Sequence, residues 1–136
     1  MDNFLWRLPV YAAALWWGSL TTIGFLVVPL LFMHLPTPAL AGGMAAKLFT
    51  AQTWMSVACG GILLLTSTSK QASAPAQRAH DAIVFILLGL LLALLVEFAV
   101  APRIVTRTNL KLWHSVGSVM YLVQWLCAAI VFWRST

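Results

Sequence analysis

The chain has 136 residues, of which 62% are hydrophobic and 8% charged. Soluble domains carry about a quarter charged residues, and eight basic plus three acidic side chains are too few to cover so much apolar surface in water, so a soluble globular protein is excluded. The net charge of +5 comes from basic residues set singly or in threes beside hydrophobic runs. That pattern suits anchoring at lipid headgroups, and no basic face with interleaved aromatics exists to bind nucleic acid.

The first apolar run covers about 8–33, longer than the roughly 20 helical residues that cross a hydrocarbon core. Trp6, Tyr11, Trp16 and Trp17 gather toward its start, as an interfacial aromatic belt would. Ala39-Leu40-Ala41 resembles a signal-peptide cleavage site, but the run is far longer than a signal h-region and Asp2 offsets Arg7, so a retained helix is expected. His34-Leu35-Pro36-Thr37-Pro38 breaks it, and Thr37 followed by Pro38 reads as an N-cap with proline in the first turn.

The second helix extends to about Thr68, with its membrane portion near 48–67 and its start, through Gly42, Gly43 and Lys47, at the interface. A polar linker follows from Ser69 to Ala79. The third span covers about 81–101, ended by Pro102, and the fourth about 109–133, capped by Thr108 or Asn109. The expectation is one all-α transmembrane domain over 1–136, a four-helix bundle with antiparallel neighbours in the lipid bilayer. Both termini then share one side with Arg7, Lys70, Arg78 and Arg134, against Lys47, Arg103, Arg107 and Lys111 opposite. Equal numbers leave the positive-inside rule undecided, and the N-terminal amine tilts the expectation toward cytoplasmic termini.

Stripes of small or polar residues mark the expected contact faces, because lipid gives helices no hydrophobic reason to associate. They are Gly18, Thr21, Thr22, Phe25 and Pro29, then Gln52, Ser56, Cys59 and Gly60, then Gly89, Ala93 and Glu97, and last His114, Gly117, Ser118, Tyr121, Gln124 and Ala128. Cys59 and Cys127 lie inside apolar runs without metal or disulfide spacing and read as packing residues.

Lys47, Gln52, Glu97, Arg103, Arg107 and His114 form a polar cluster toward one end of the bundle. With the third helix ending near Ala101 and the fourth starting near Asn109, Glu97 and His114 fall at equal depth on adjacent helices and are expected to meet. An ionisable group inside lipid costs a few kcal/mol and so has a partner or a task. The pair is read either as a structural pin or as a site of proton carriers or ligands. No Gly-rich phosphate loop, Gly-x-Ser-x-Gly, His-Glu-x-x-His or close acidic pair is present, so no catalytic residue is assigned and an enzyme is not the expectation.

Trp17-Gly18 with Gly24 and Pro29-Leu30-Leu31-Phe32, then Lys47-Leu48-Phe49, then Glu97 before Ala101-Pro102-Arg103-Ile104, and finally Trp113-His114 form an ordered set along nearly the whole chain. It resembles the transmembrane-protein-205-like family, which includes bacterial membrane proteins of unknown function. The resemblance implies four spans, a bacterial inner-membrane location and, through vertebrate relatives linked with platinum-drug resistance, metal or metallo-drug handling. The layout also looks distantly like membrane families that bind haem through histidine.

Three functions follow as alternatives. One is an accessory or structural subunit packed against other membrane subunits or in a homo-oligomer. Another is a metal-ion or metal-complex binder using His114, Glu97 and His34, whose carboxylate and imidazole suit zinc or copper. The last is a haem protein with His114 as axial ligand.

Overall fold

Apolar backbone in lipid must satisfy its own hydrogen bonds, which leaves helices or closed barrels. The computed structural model of this chain takes the helical solution; it describes residues 2–70 and 76–136, with side chains over 3–68 and 80–136. Helix α1 runs Asp2–Thr22, widens into a π-helical turn at Ile23–Val27 and continues through Val28–His34. Helix α2 is Pro38–Lys70. Helix α3 runs Ala76–Leu95, widens at Val96–Val100 and ends as Ala101–Val105. Helix α4 is Leu110–Ser135.

Four stretches, Asn3–His34, Pro38–Thr68, His80–Val105 and Leu110–Ser135, are long and apolar enough to cross a membrane. They form the expected all-α bundle: α1 and α3 each pack on both α2 and α4. Neighbours are antiparallel, since α2 falls from Gly60 to Thr50 while its α3 partners rise from Leu90 to Glu97. The polar linker expected over 69–79 is helical at both ends, and its middle, 71–75, lies outside the described residues. At that end of the bundle Arg134 of α4 reaches Asp81 of α3 at 3.5 Å.

Both π-turns end two residues before a proline, Pro29 and Pro102. Proline has no N–H for the carbonyl four residues back, and its ring crowds that carbonyl; a widened turn lets the backbone pass the defect without breaking. Pro102 therefore does not end α3 as expected. The helix continues to Val105.

The helix ends are handled differently. Thr37 Oγ1 accepts from the Leu40 N–H at 3.3 Å, the expected N-cap. Neither Thr108 nor Asn109 caps α4: Asn109 is left-handed at φ 46° with no side-chain cap bond, and Thr108 Oγ1 pairs with Thr106 Oγ1. The α3–α4 turn is instead closed from the α3 side. Arg107 sits at φ 56°, its N–H bonds Ile104 O at 3.1 Å, and the Thr108 N–H bonds Arg103 O at 3.2 Å. Those two bonds around a left-handed residue make a Schellman motif.

The apolar core joins Ala12, Ala13, Trp16 and Leu20 of α1 with Cys59 and Leu63 of α2, Ile86 of α3 and Ala128 and Val131 of α4. Trp16 is a core residue, 0% exposed, and not part of an interfacial belt. Its ring fills the space left by Gly89, where a Cβ would stand 2.7 Å from Trp16 Cη2. Gly18, by contrast, has open space around it, and Thr22, Phe25 and Pro29 are exposed. The small residue that α1 needs is thus supplied by α3, and the expected stripe on α1 meets α4 only in part: Thr21 Oγ1 accepts from Trp125 Nε1 at 2.8 Å and Phe25 stands edge-on to that ring. The stripes on α2 and α3 are contact faces, with Gly60 against Leu90 and Gly89 against Trp16.

Candidate functional site

Beyond the core, toward the α1–α2 and α3–α4 turns, the bundle interior becomes polar. Gln52 Nε2 donates to Ser19 Oγ at 3.0 Å, and Gln124 Nε2 donates to Ser56 Oγ at 3.1 Å. Ser56 Oγ in turn donates to Gln52 O at 2.9 Å. Gln52 and Gln124 are each 3% exposed and Ser56 is fully buried. Each hydroxyl here is both donor and acceptor, so α1, α2 and α4 are tied through one connected layer. Among the described residues the Gln52 Oε1 atom has no hydrogen-bond partner.

One turn further out, at the α2–α3 seam, lies Glu97. Thr50 Oγ1 donates to its carboxylate, 2.9 Å from Oε1 and 3.1 Å from Oε2. One hydroxyl hydrogen is therefore shared between two oxygens that together accept several bonds. Among the described residues the ion pair is Arg134–Asp81; no cation lies within ion-pair distance of Glu97. The carboxylate stands in the wall of a cleft of about 560 Å³ whose other polar side chains are Lys47, Thr50 and Thr106. Ala46, Ala101, Pro102 and Val105 complete it. The π-turn at Val96–Val100 includes Glu97, so the backbone that carries the carboxylate is displaced from regular helical register.

Glu97 and His114, expected within direct or water-bridged reach, share no direct hydrogen bond or ion pair. Glu97 lies eight residues before α3 ends at Val105, roughly 12 Å below that end, whereas His114 is one turn into α4, roughly 6 Å in. The equal depth inferred from sequence depended on Pro102 ending the helix. Glu97 is bonded to α2, and His114 is exposed with no side-chain hydrogen bond or ion pair among the described residues.

The remaining cluster residues separate as well. Lys47 is exposed on the cleft wall and Gln52 belongs to the buried layer. Arg103 Nη1 donates to Ala99 O at 2.6 Å and its guanidinium lies 4.6 Å from the Trp113 ring centre, a cation–π contact. Arg107 occupies the turn. His34 Nδ1 turns back to Leu30 O at 3.1 Å. Among the described residues no three His, Cys, Asp or Glu side chains come together as a metal group, so Glu97, His114 and His34 are not gathered into one. Thr50 was not singled out from the sequence. A hydroxyl three residues from Lys47 inside a span was its only signal.

A family model described as Domain of unknown function (DUF4149) matches residues 11–111. The chain belongs to this family. The match runs from the α1 aromatics through the α3–α4 turn, so the family's extent in DUF4149 includes Thr50, Glu97 and the whole cleft. No curated protein and no solved structure matches the chain.

Proposed function

We propose that the protein binds, inside the membrane, a ligand that carries a positively charged group, with Glu97 as its anchor and entry from the end bearing the two helix–helix turns. The observation that supports this is a carboxylate at membrane depth whose partner is one neutral hydroxyl, Thr50, on the wall of a cleft. An ionisable side chain within a span costs roughly 2.5–3.5 kcal/mol on insertion scales and normally has a partner or a task. A cationic ligand supplies the missing charge, and Thr50 holds the carboxylate in place to receive it. A bacterial inner membrane is the location that the likeness to transmembrane-protein-205-like proteins suggests.

The competing reading is an accessory subunit in which Glu97 is architectural. Calorimetric titration of the purified protein in dodecyl maltoside with 3-methylbutylammonium separates the two. Saturable binding that weakens about tenfold in Glu97→Gln, with an unchanged melting temperature, supports the binding function. Absence of binding, together with a lower melting temperature in Glu97→Gln, supports the architectural role.

A further inference from the structure

Two unlike charges line the same cleft without neutralising each other. Glu97 and Lys47 both face it, yet no ion pair joins them. Lys47 lies one helical turn before Thr50 on α2, so it stands about 4.5 Å nearer the turn-side surface than the hydroxyl that holds Glu97. The carboxylate is the inner charge and the ammonium the outer one. The rest of the wall, at the level of Lys47 and further toward the turns, is apolar, formed by Ala46, Ala101, Pro102 and Val105.

A simple cation would satisfy Glu97 while bringing like charge toward Lys47. A divalent metal needs several oxygen, nitrogen or sulfur ligands, and no three-residue metal group exists among the described residues. A cleft of about 560 Å³ that is open along one side has room for a small molecule without enclosing it. Resting on the reading of Glu97 as a cation anchor, we infer that the ligand is a small amphipathic zwitterion. Its ammonium meets Glu97, its anionic group meets Lys47, and its apolar body lies on the alanines, Pro102 and Val105. Entering from the turn side, it goes in amino end first.

That chemistry is carried by a free aliphatic amino acid and by the headgroup of an aminophospholipid. The test compares leucine, 3-methylbutylammonium (the same molecule without its carboxylate) and dihexanoyl phosphatidylethanolamine. Each is titrated into the protein in dodecyl maltoside, which is itself uncharged. At least one zwitterion is expected to bind more tightly than the monocation. Lys47→Gln should weaken that zwitterion about tenfold while the monocation, relieved of a like charge, binds no more weakly than before, and Lys47→Arg should restore the zwitterion.

Tighter binding of leucine assigns the free zwitterion, and tighter binding of the phospholipid assigns the headgroup. A monocation that binds at least as well as both zwitterions, with no effect of Lys47→Gln, overturns this inference and leaves the Glu97 reading standing. Binding of all three unchanged in Glu97→Gln overturns both.

Discussion

The Tyr121 hydroxyl stands where a hydrogen bond of α1 would otherwise run. It donates to Leu20 O at 2.6 Å, and the tyrosine oxygen itself accepts from the Gly24 N–H. Leu20 O and the Gly24 N–H are the natural i to i+4 pair of an α-helix. Tyr121 is inserted between them, and the π-turn at Ile23–Val27 begins there. Its ring also occupies the place of a Gly24 side chain: a Cβ on Gly24 would collide with Tyr121 Cε1. One tyrosine on α4 thus shapes the outer half of α1, next to the side of the bundle that carries the cleft.

Tyr121→Phe is therefore expected to lower stability by about 1 kcal/mol, because α1 can re-form its own bond once the hydroxyl is gone. Gly24→Ala should cost more, about 1–3 kcal/mol, since the Tyr121 ring must move. Thermal unfolding in detergent gives the order. A Phe variant less stable than the Ala variant would contradict the insertion described here.

Gly89 and Leu91 give a second test. A side chain at Gly89 meets Trp16, whereas Leu91 is 53% exposed and faces lipid. Gly89→Leu should destabilise the bundle by about 1–3 kcal/mol through overpacking, and Leu91→Ala by well under about 1 kcal/mol, because lipid replaces the lost contacts. Equal melting temperatures for the two variants would mean the faces are misassigned.

Ser56 is the shared node of the buried polar layer. Ser56→Ala leaves the Gln124 donor without its bond and removes the hydroxyl over Gln52 O, so a loss of about 1–3 kcal/mol is expected. Gln124→Leu removes the donor together with its need and should cost less. Combining Ser56→Ala with Gln124→Leu should lose less than the sum of the two, measurable as a coupling in chemical or thermal unfolding. Strict additivity would show that the layer is not connected.

In the α3–α4 turn, Arg107 holds a left-handed conformation at φ 56° that favours glycine. Arg107→Gly is expected to raise stability by up to about 1 kcal/mol. Arg107→Val, branched at Cβ, should lower it. A melting curve that moves the same way for both would rule out backbone strain as the cause.

The four spans were legible because roughly twenty apolar residues in a row admit few readings. The small stripes on α2 and α3 were legible for a related reason: small residues mark close approach in lipid. Trp16 was misread because an aromatic near the start of a span resembles a belt residue until Gly89, far along the chain, is seen to receive it. The depth of Glu97 was misread because proline normally stops a helix, and the π-turn that carries α3 past Pro102 leaves no plain signature in sequence. Thr50 was invisible for a subtler reason. Intramembrane threonines commonly bond their own helix, as Thr21 and Thr53 do here, and only the packed fold turns Thr50 toward a carboxylate instead.

The central claim, that Glu97 is an accessible carboxylate waiting for a positive charge, is tested most directly by covalent labelling. The chain has three acidic side chains, and Glu97 is the one placed at membrane depth. A lipid-soluble carbodiimide applied to the protein in vesicles, followed by peptide mass spectrometry, should modify Glu97. 3-Methylbutyl(trimethyl)ammonium, which has neither a carboxylate to consume the reagent nor an N–H to couple to the activated ester, should slow that modification, and Glu97→Gln should abolish it. An unmodified Glu97, or one modified at the same rate with and without this cation, would contradict the proposed site.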